Sequence, residues 1–353
     1  MKKNYFITLL EVVNLNLKTN LKHKTNKNQF DLFKFLYKYG TIIVTIAAVL
    51  FFSLTLENFM NFNNITNVFR SVSIVALIAL AITMSLTIDG FDLSVGATAG
   101  FASVIAAKIM VIWEMSPAVA IVVPLLVGIL IGCINAFLII KIGISDMLTT
   151  LSMMFVLTGI SITFQNGSAI YNYMPLPNNG GIAPGTMHKA FLFIGQGKVL
   201  GIPFPVILML IVVTLVHIFL KYTKYGRYLY MTGGNEEAAK LSGIPTNKYK
   251  LIAYIISGFI AALGGLVLCA RLGSGEVNAG APYLMDAVAA AFIGFSVLGI
   301  GKPNAFGTLL GALLMGILLN GLIMMDFPYY SQDIVKGIVL ILGLGLTYYK
   351  RKE

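Results

Sequence analysis

The chain has 353 residues, 58% of them hydrophobic and 11% charged, with a mean hydropathy of +0.86. A soluble globular chain carries roughly 25% charged residues, so this composition excludes a freely soluble domain. The 25 Lys and Arg outnumber the 14 Asp and Glu, but they lie beside the ends of apolar blocks rather than on one basic face, which excludes a nucleic-acid partner and points to charge placed for membrane orientation.

The first forty residues are rich in Asn and Lys and predict a basic cytoplasmic tail, 1–40. Glu11 interrupts the short apolar run there and no small-residue cleavage site follows, so the segment does not read as a cleaved signal. Its end, Phe30–Tyr39, mixes aromatics with cations and suits a helix lying at the membrane interface.

Apolar blocks of roughly 18 to 22 residues follow, each long enough to cross a hydrocarbon core of about 30 Å at about 1.5 Å per residue. In order they are Thr41–Leu56, Ser71–Ile88, Leu93–Ile112, Pro117–Ile140, Met147–Phe164, Phe204–Leu220, Leu251–Arg271, Leu284–Leu298, Ala305–Met325 and Ile334–Tyr349. The expected fold is therefore all-α, a polytopic helical bundle of ten spans filling residues 41–350, with a loop at 221–250. Alternation puts the lysine-rich tail, Lys141, the 221–250 loop and Lys350–Lys352 on one side. Glu114, Glu276 and Asp326 fall on the other, so the bias of positive charge predicts a bacterial inner-membrane protein with both termini in the cytoplasm.

Glycines recur as Gly96 and Gly100, Gly128 and Gly132, Gly307 and Gly311, a spacing that clears one face of a helix for close packing against another. Polar residues inside spans are costly and must face protein or water: Asn135, Thr149, Thr150, Gln165, Ser257, Asp286 and Asn320. Hydroxyl and amide groups suit a neutral polar solute, and Asn135, Gln165 and Asn320, with Asp92, are the candidate translocation path. Interhelical hydrogen bonding is the alternative use of each. The stretch Leu125–Asn135 resembles Leu309–Asn320, five spans later and opposite in direction, which suggests an inverted five-plus-five repeat.

Between the second and third spans, Asp89-Gly-Phe-Asp92-Leu-Ser-Val-Gly96 breaks the apolar run with two carboxyls and two glycines. Irregular backbone at membrane depth needs shelter by protein or an aqueous cavity. Asp92 either caps the third span or lines the path, and both readings stand. Cys133 and Cys269 sit singly in apolar spans, and His23, His188 and His217 are scattered, so no metal or redox site is expected.

The 221–250 loop carries a complete set of helix terminus signals. Asn235 is the N-cap, Glu236 and Glu237 favour the first turn, Lys240 the last, Gly243 can take the left-handed C′ position, and Pro245 blocks continuation. An isolated helix of about eight residues is unstable in water, so this one must dock. Ala238, Ala239 and Leu241 are expected to be exposed and to fit a groove on a partner.

The Gly233–Ile244 loop resembles the coupling loop of permeases in bacterial importers of the ribose, galactose and xylose type. So do Ile88–Gly96, Ile194–Val206, Ser257–Gly265, Arg271–Gly275, Lys302–Ala312 and Tyr329–Gly337, together spanning residues 70 to 350 in order. The resemblance implies an importer whose path is enclosed by two permease subunits, copies or paralogues, embedded in lipid. An extracytoplasmic binding protein would deliver sugar, and a cytoplasmic ATPase holding ATP and Mg²⁺ would dock on Asn235, Glu236, Glu237, Ala238, Ala239 and Gly243. This chain would bind no cofactor. Two departures fall near the path: Gly90-Phe91 replaces the usual pair of glycines, and Ser145-Asp146-Met147 replaces a proline-phenylalanine entry to the fifth span. No nucleotide motif is present, since the stretch Gly299-Ile-Gly-Lys302 has Ser296 where the first glycine of a phosphate loop is needed and Pro303 where its Ser or Thr is needed. An ion-coupled secondary transporter is the rival, and would need carboxyls inside the membrane, where only Asp286 is so placed. A permease of the same class for a nucleoside or a branched-chain amino acid is the other alternative.

Overall fold

The computed structural model describes residues 32–176, 180–276, 278–297 and 301–349. Most of the tail expected over 1–40, and the lysines and arginine at 350–352, lie outside the described residues. Residues 37–353 pack together as one unit.

The described chain is helical, with strands of only two residues each. The helices are α1 (Leu32–Thr55), α2 (Phe62–Leu86), α3 (Val95–Val111), α4 (Pro117–Phe137), α5 (Asp146–Gln165), α6 (Lys189–Gln196), α7 (Phe204–Tyr222), α8 (Lys224–Gly234), α9 (Glu236–Leu241), α10 (Thr246–Leu272), α11 (Ala281–Ser296), α12 (Ala305–Met324) and α13 (Tyr329–Tyr349). All ten expected spans are present as α1 to α5, α7 and α10 to α13. Six of these are apolar over a length sufficient to cross a membrane, counting α4 with its continuation, and three shorter apolar segments, Tyr39–Thr55, Val95–Val111 and Ala281–Phe295, accompany them. The chain is a polytopic helical membrane protein. Sequence composition alone did not indicate α6, α8 or the π-helical turn Leu138–Ile142 that prolongs α4 before Gly143 stops it at φ 84°.

α2 and α10 form the centre and are packed on each other. α10 also packs on α3 and α4, and α2 on α11 and α12; α3 meets α4 and α5 just as α11 meets α12 and α13. Exchanging α2 with α10, α3 with α11, α4 with α12 and α5 with α13 therefore carries these contacts onto themselves. That is the arrangement an inverted repeat produces. Directions agree as well. Gly128 and Gly132 of α4 lie against Gly258 and Tyr254 of α10, and Thr308 and Asn320 of α12 reach Thr83 and Asn64 of α2, so both pairs run antiparallel. The relation weakens at the outer spans, because α7 packs on α2 and α12 and, among the described residues, α1 makes no comparably extensive contact with α10 and α4.

Glycine explains how the central helices approach so closely. A Cβ at Gly128 would collide with the carbonyl oxygen of Gly258, and one at Gly311 with that of Ala290. In lipid, where no hydrophobic force separates helix from solvent, this backbone-to-backbone contact is the packing energy.

The two short spans begin inside the bundle. Asp92, just before α3, is bonded to Ser257, which lies about 16 Å along α10 at about 1.5 Å per residue. Gly280, just before α11, packs against Gly96 in the first turn of α3. The N-termini of α3 and α11 thus meet in the interior. Between α10 and α11 the chain forms β4 (Ser274–Gly275), which pairs antiparallel with β1 (Ile170–Tyr171).

Gly128→Leu should separate α4 from α10 and cost about 1–3 kcal/mol, lowering the melting temperature in detergent. Gly159→Leu, where nothing lies within 4 Å, should leave it unchanged. Equal effects would show that the α4–α10 approach does not carry stability.

Candidate functional site

The first candidate site is the break between α2 and α3. α2 ends at Leu86, and Asp89 turns the chain through a left-handed conformation at φ 58°. Gly90 follows, set over the side chains of Asp146 and Tyr254, where a Cβ would strike the Asp146 carboxyl and lie 2.8 Å from the Tyr254 hydroxyl. The Tyr254 hydroxyl itself donates to the Asp146 carboxyl. This is where the sequence departs from the usual glycine pair, and the one glycine kept is at the position with no room for a side chain.

Asp92 is 1% exposed and both its carboxyl oxygens are engaged. Oδ1 accepts from the Ser94 amide at 3.0 Å and the Ser94 hydroxyl at 2.6 Å, and Oδ2 accepts from the Ser257 hydroxyl at 2.8 Å. The Asp92 amide donates to Ser85 Oγ at 3.2 Å, and the Leu93 amide to Thr150 Oγ1 at 3.1 Å. Asn135, fully buried on α4, donates through Nδ2 to Ser94 Oγ at 3.0 Å. α2, α3, α4, α5 and α10 are thus joined at one knot. Of the path candidates, the structure brings Asp92 and Asn135 together through Ser94. Asp-x-Ser is the spacing of an Asx turn, a signal in the sequence from which Ser94 could have been found.

Gln165 and Asn320 lie elsewhere. Gln165 closes α5 and donates through Nε2 to the Gly275 carbonyl of β4 at 2.8 Å, leaving Oε1 buried without a hydrogen-bond partner. Asn320 on α12 exchanges hydrogen bonds with Asn64 of α2, both at 3.0 Å. Asp286 is 5% exposed and paired with Lys336 of α13 at 3.2 Å. The carboxyl that a rival ion-coupled reading would use is matched by a cation.

The second candidate site is the 221–250 segment. It contains two helices, where the sequence indicated one. α8 starts on a cap in which Thr223 Oγ1 accepts from the Gly226 amide at 3.2 Å, and its Tyr230 hydroxyl donates to the Pro303 carbonyl at 2.6 Å. α9 has the expected terminus chemistry: Asn235 Oδ1 accepts from the Ala238 amide at 2.9 Å, and Gly243 is left-handed at φ 77°. Its exposure differs from expectation at one residue. Ala239 is 3% exposed and joins the core, whereas Glu237, Ala238 and Leu241 face outward, Leu241 being 90% exposed. Successive positions of an α-helix are turned by about 100°, so Ala238 can face outward while Ala239 faces the bundle.

Glu236 fastens α9 to α10. Its carboxyl lies 2.7 Å from Lys250 Nζ and 2.9 Å from Lys240 Nζ. The hydrogen bond from Lys250 is the largest cause pulling its pKa down to about 2, with Lys240 adding to it and partial burial opposing.

Residues 64–344 match the family described as branched-chain amino acid transport system / permease component, and the chain belongs to it. It is similar to the ribose import permease protein of Haemophilus influenzae, 37% identical over 91% of this chain and 96% of the relative. The ribose import permease protein of Escherichia coli is 36% identical over 86% and 91%, and its D-allose transport system permease protein 32% identical over 91% and 95%. No solved structure matches the chain significantly.

Asp92→Ala should strand the Ser94 and Ser257 donors at about 1–3 kcal/mol for each group left unmade, whereas Asp92→Asn keeps an acceptor toward Ser94 and should lose less. Melting temperatures in the order wild type, Asn, Ala check this. For Glu236, a carboxyl held below its ordinary 4.5 adds stability above that value and loses it as pH falls toward about 2. Amide exchange across 236–241, corrected for intrinsic rate, should therefore be flat between about pH 5 and 8. In Lys250→Met the segment should exchange faster already in that plateau and should lose less on acidification, because the largest cause of the lowered pKa is gone.

Proposed function

We propose that this permease is the membrane-spanning subunit of a binding-protein-dependent importer that carries a simple sugar, ribose or a similar pentose or hexose, into the cytoplasm. The observation that carries the reading is α9: a short, doubly capped helix, bolted to α10 by Glu236 and Lys250, that turns Glu237, Ala238 and Leu241 outward, with Leu241 90% exposed. A helix so short is held for contact with something else. The relatives' names, import permeases for ribose and a transport permease for D-allose, supply the solute class.

On this reading a separate ATPase, carrying ATP and Mg²⁺, seats on Asn235, Glu236, Glu237, Ala238 and Gly243, with Ala239 as the packing contact behind them. The face bearing α8 and α9 is cytoplasmic, as the positive charge of the 221–250 loop favours, and both termini lie there, in the inner membrane. An extracytoplasmic sugar-binding protein delivers solute to the other face, and a second permease, copy or paralogue, completes the path. Asn135 and Gln165 are the residues best equipped to meet a sugar hydroxyl, because each keeps a buried amide oxygen without a hydrogen-bond partner. Asp92 and Asn320 spend their capacity on Ser94, Ser257 and Asn64, and brace the path rather than line it.

Uptake of labelled ribose, allose and xylose into cells expressing the neighbouring transport components tests this. Charge reversal in a docking surface costs several kcal/mol, so Glu237→Arg should cut uptake by about tenfold or more, with permease abundance unchanged and ATPase co-purification lost. Uptake that survives Glu237→Arg and follows an ion gradient would overturn the reading.

A further inference from the structure

The α8–α9 segment meets the bundle at a place that terminus signals do not indicate. Gly233 lies in the last turn of α8, two residues before the Asn235 cap. A Cβ there would run into the Thr87 carbonyl oxygen and come within 2.8 Å of the Ile88 carbonyl carbon and the Asp89 amide nitrogen. The backbone of Gly233 therefore rests directly on the peptide groups that lead out of α2. The next glycine, Gly234, has nothing within 4 Å of such a position.

The peptide groups under Gly233 belong to a closely constrained stretch. Asp89 holds its left-handed turn there, and Gly90 is pressed on its other side against Asp146 and Tyr254. Residues 87–90 are thus in contact with both the α8–α9 segment and the Tyr254–Asp146 pair. Two residues further on, Asp92 carries the hydrogen bonds to Ser94 and Ser257, and Ser94 the one from Asn135. From Gly233 to the knot the chain of contact is backbone on backbone followed by directional hydrogen bonds of the short, buried Asp92, Ser94 and Ser257 side chains. Packed protein of this kind transmits strain rather than taking it up.

We propose that Gly233 is a positioning residue for transport: load placed on α9 is passed through it to residues 87–89 and on to the Asp92 knot. The proposal rests on the importer reading, which supplies the load. Gly233 is outside the residues proposed to hold the ATPase, and a small residue there is required for contact with the break, not for docking.

The test uses the full chain with its ATPase and binding protein in proteoliposomes, measuring ATPase retention, ATP hydrolysis and sugar moved. Gly233→Ala and Gly234→Ala add the same methyl group to adjacent helical positions. Gly234→Ala should match wild type. Gly233→Ala should retain and run the ATPase while sugar moved per ATP falls about three- to thirtyfold, the span of coupling effects along such networks. A ratio equal to that of Gly234→Ala, or transport and hydrolysis falling together, overturns the proposal. If Gly233→Ala fails to accumulate, Tyr254→Phe reads the other contact of residues 87–90, where the same fall in sugar per ATP is expected and an unchanged ratio overturns it. A wild-type chain that retains no ATPase would overturn the importer reading, and the proposal with it.

Discussion

A chain that interrupts its helices inside an apolar bundle must satisfy from its own atoms every backbone group the interruption frees, because hydrocarbon offers none. Asp92 meets that constraint. It takes the Ser94 amide and hydroxyl on one carboxyl oxygen and the Ser257 hydroxyl on the other, while Ser85 and Thr150 take the Asp92 and Leu93 amides. Much of the rest follows. α3 can begin about 16 Å along α10 only because this knot shelters its first turn, and only then can Gly280 reach Gly96 and start α11 at the same level. Glycine on the contacting faces is what permits so many side-chain bonds between helices, since Ser and Asn have short reach.

Features set by local chemistry were legible in the sequence. The ten apolar blocks, the Asn235 cap and the Gly243 stop depend on residues a few positions apart, and the structure has all of them. Features set by distant contacts were not. α8 contains Gly226, Gly233 and Gly234, poor helix formers, and is held by the burial of Leu229 and the Tyr230 bond to Pro303. Exposure of Ala239 was misjudged because the rotation of α9 is fixed by Glu236 reaching Lys250, fourteen residues on. Asp92 and Asn135 were legible as costly polar groups, but that a single hydroxyl, Ser94, joins them required the fold.

The repeat shows how one architecture can hold two chemistries. Where α3 meets α5 the tie is neutral, the Leu93 amide on Thr150. Where α11 meets α13 a tie is ionic, Asp286 on Lys336. A pair buried this way adds little net stability, but removal of one partner leaves an uncompensated charge. The matched pair also leaves Asp286 ill suited to drive transport by taking up an ion, in keeping with energy supplied from outside the membrane domain.

These two kinds of contact respond differently to force. Glycine seams such as Gly128 on Gly258 and Gly265 on Ala99 are van der Waals surfaces, made of many small contacts without a preferred direction. Hydrogen bonds to Asp92 are directional and weaken steeply when bent. Shear between the halves is therefore tolerated at the seams and resisted at the knot, where it meets a set of bonds that are either made or broken. One segment outside the spans touches both halves near that point: α8 rests on residues 87–89 through Gly233 and holds Pro303, between α11 and α12, through Tyr230. A displacement of α8 would therefore act on the backbone ahead of α3 by direct contact and on the segment ahead of α12 through a hydrogen bond.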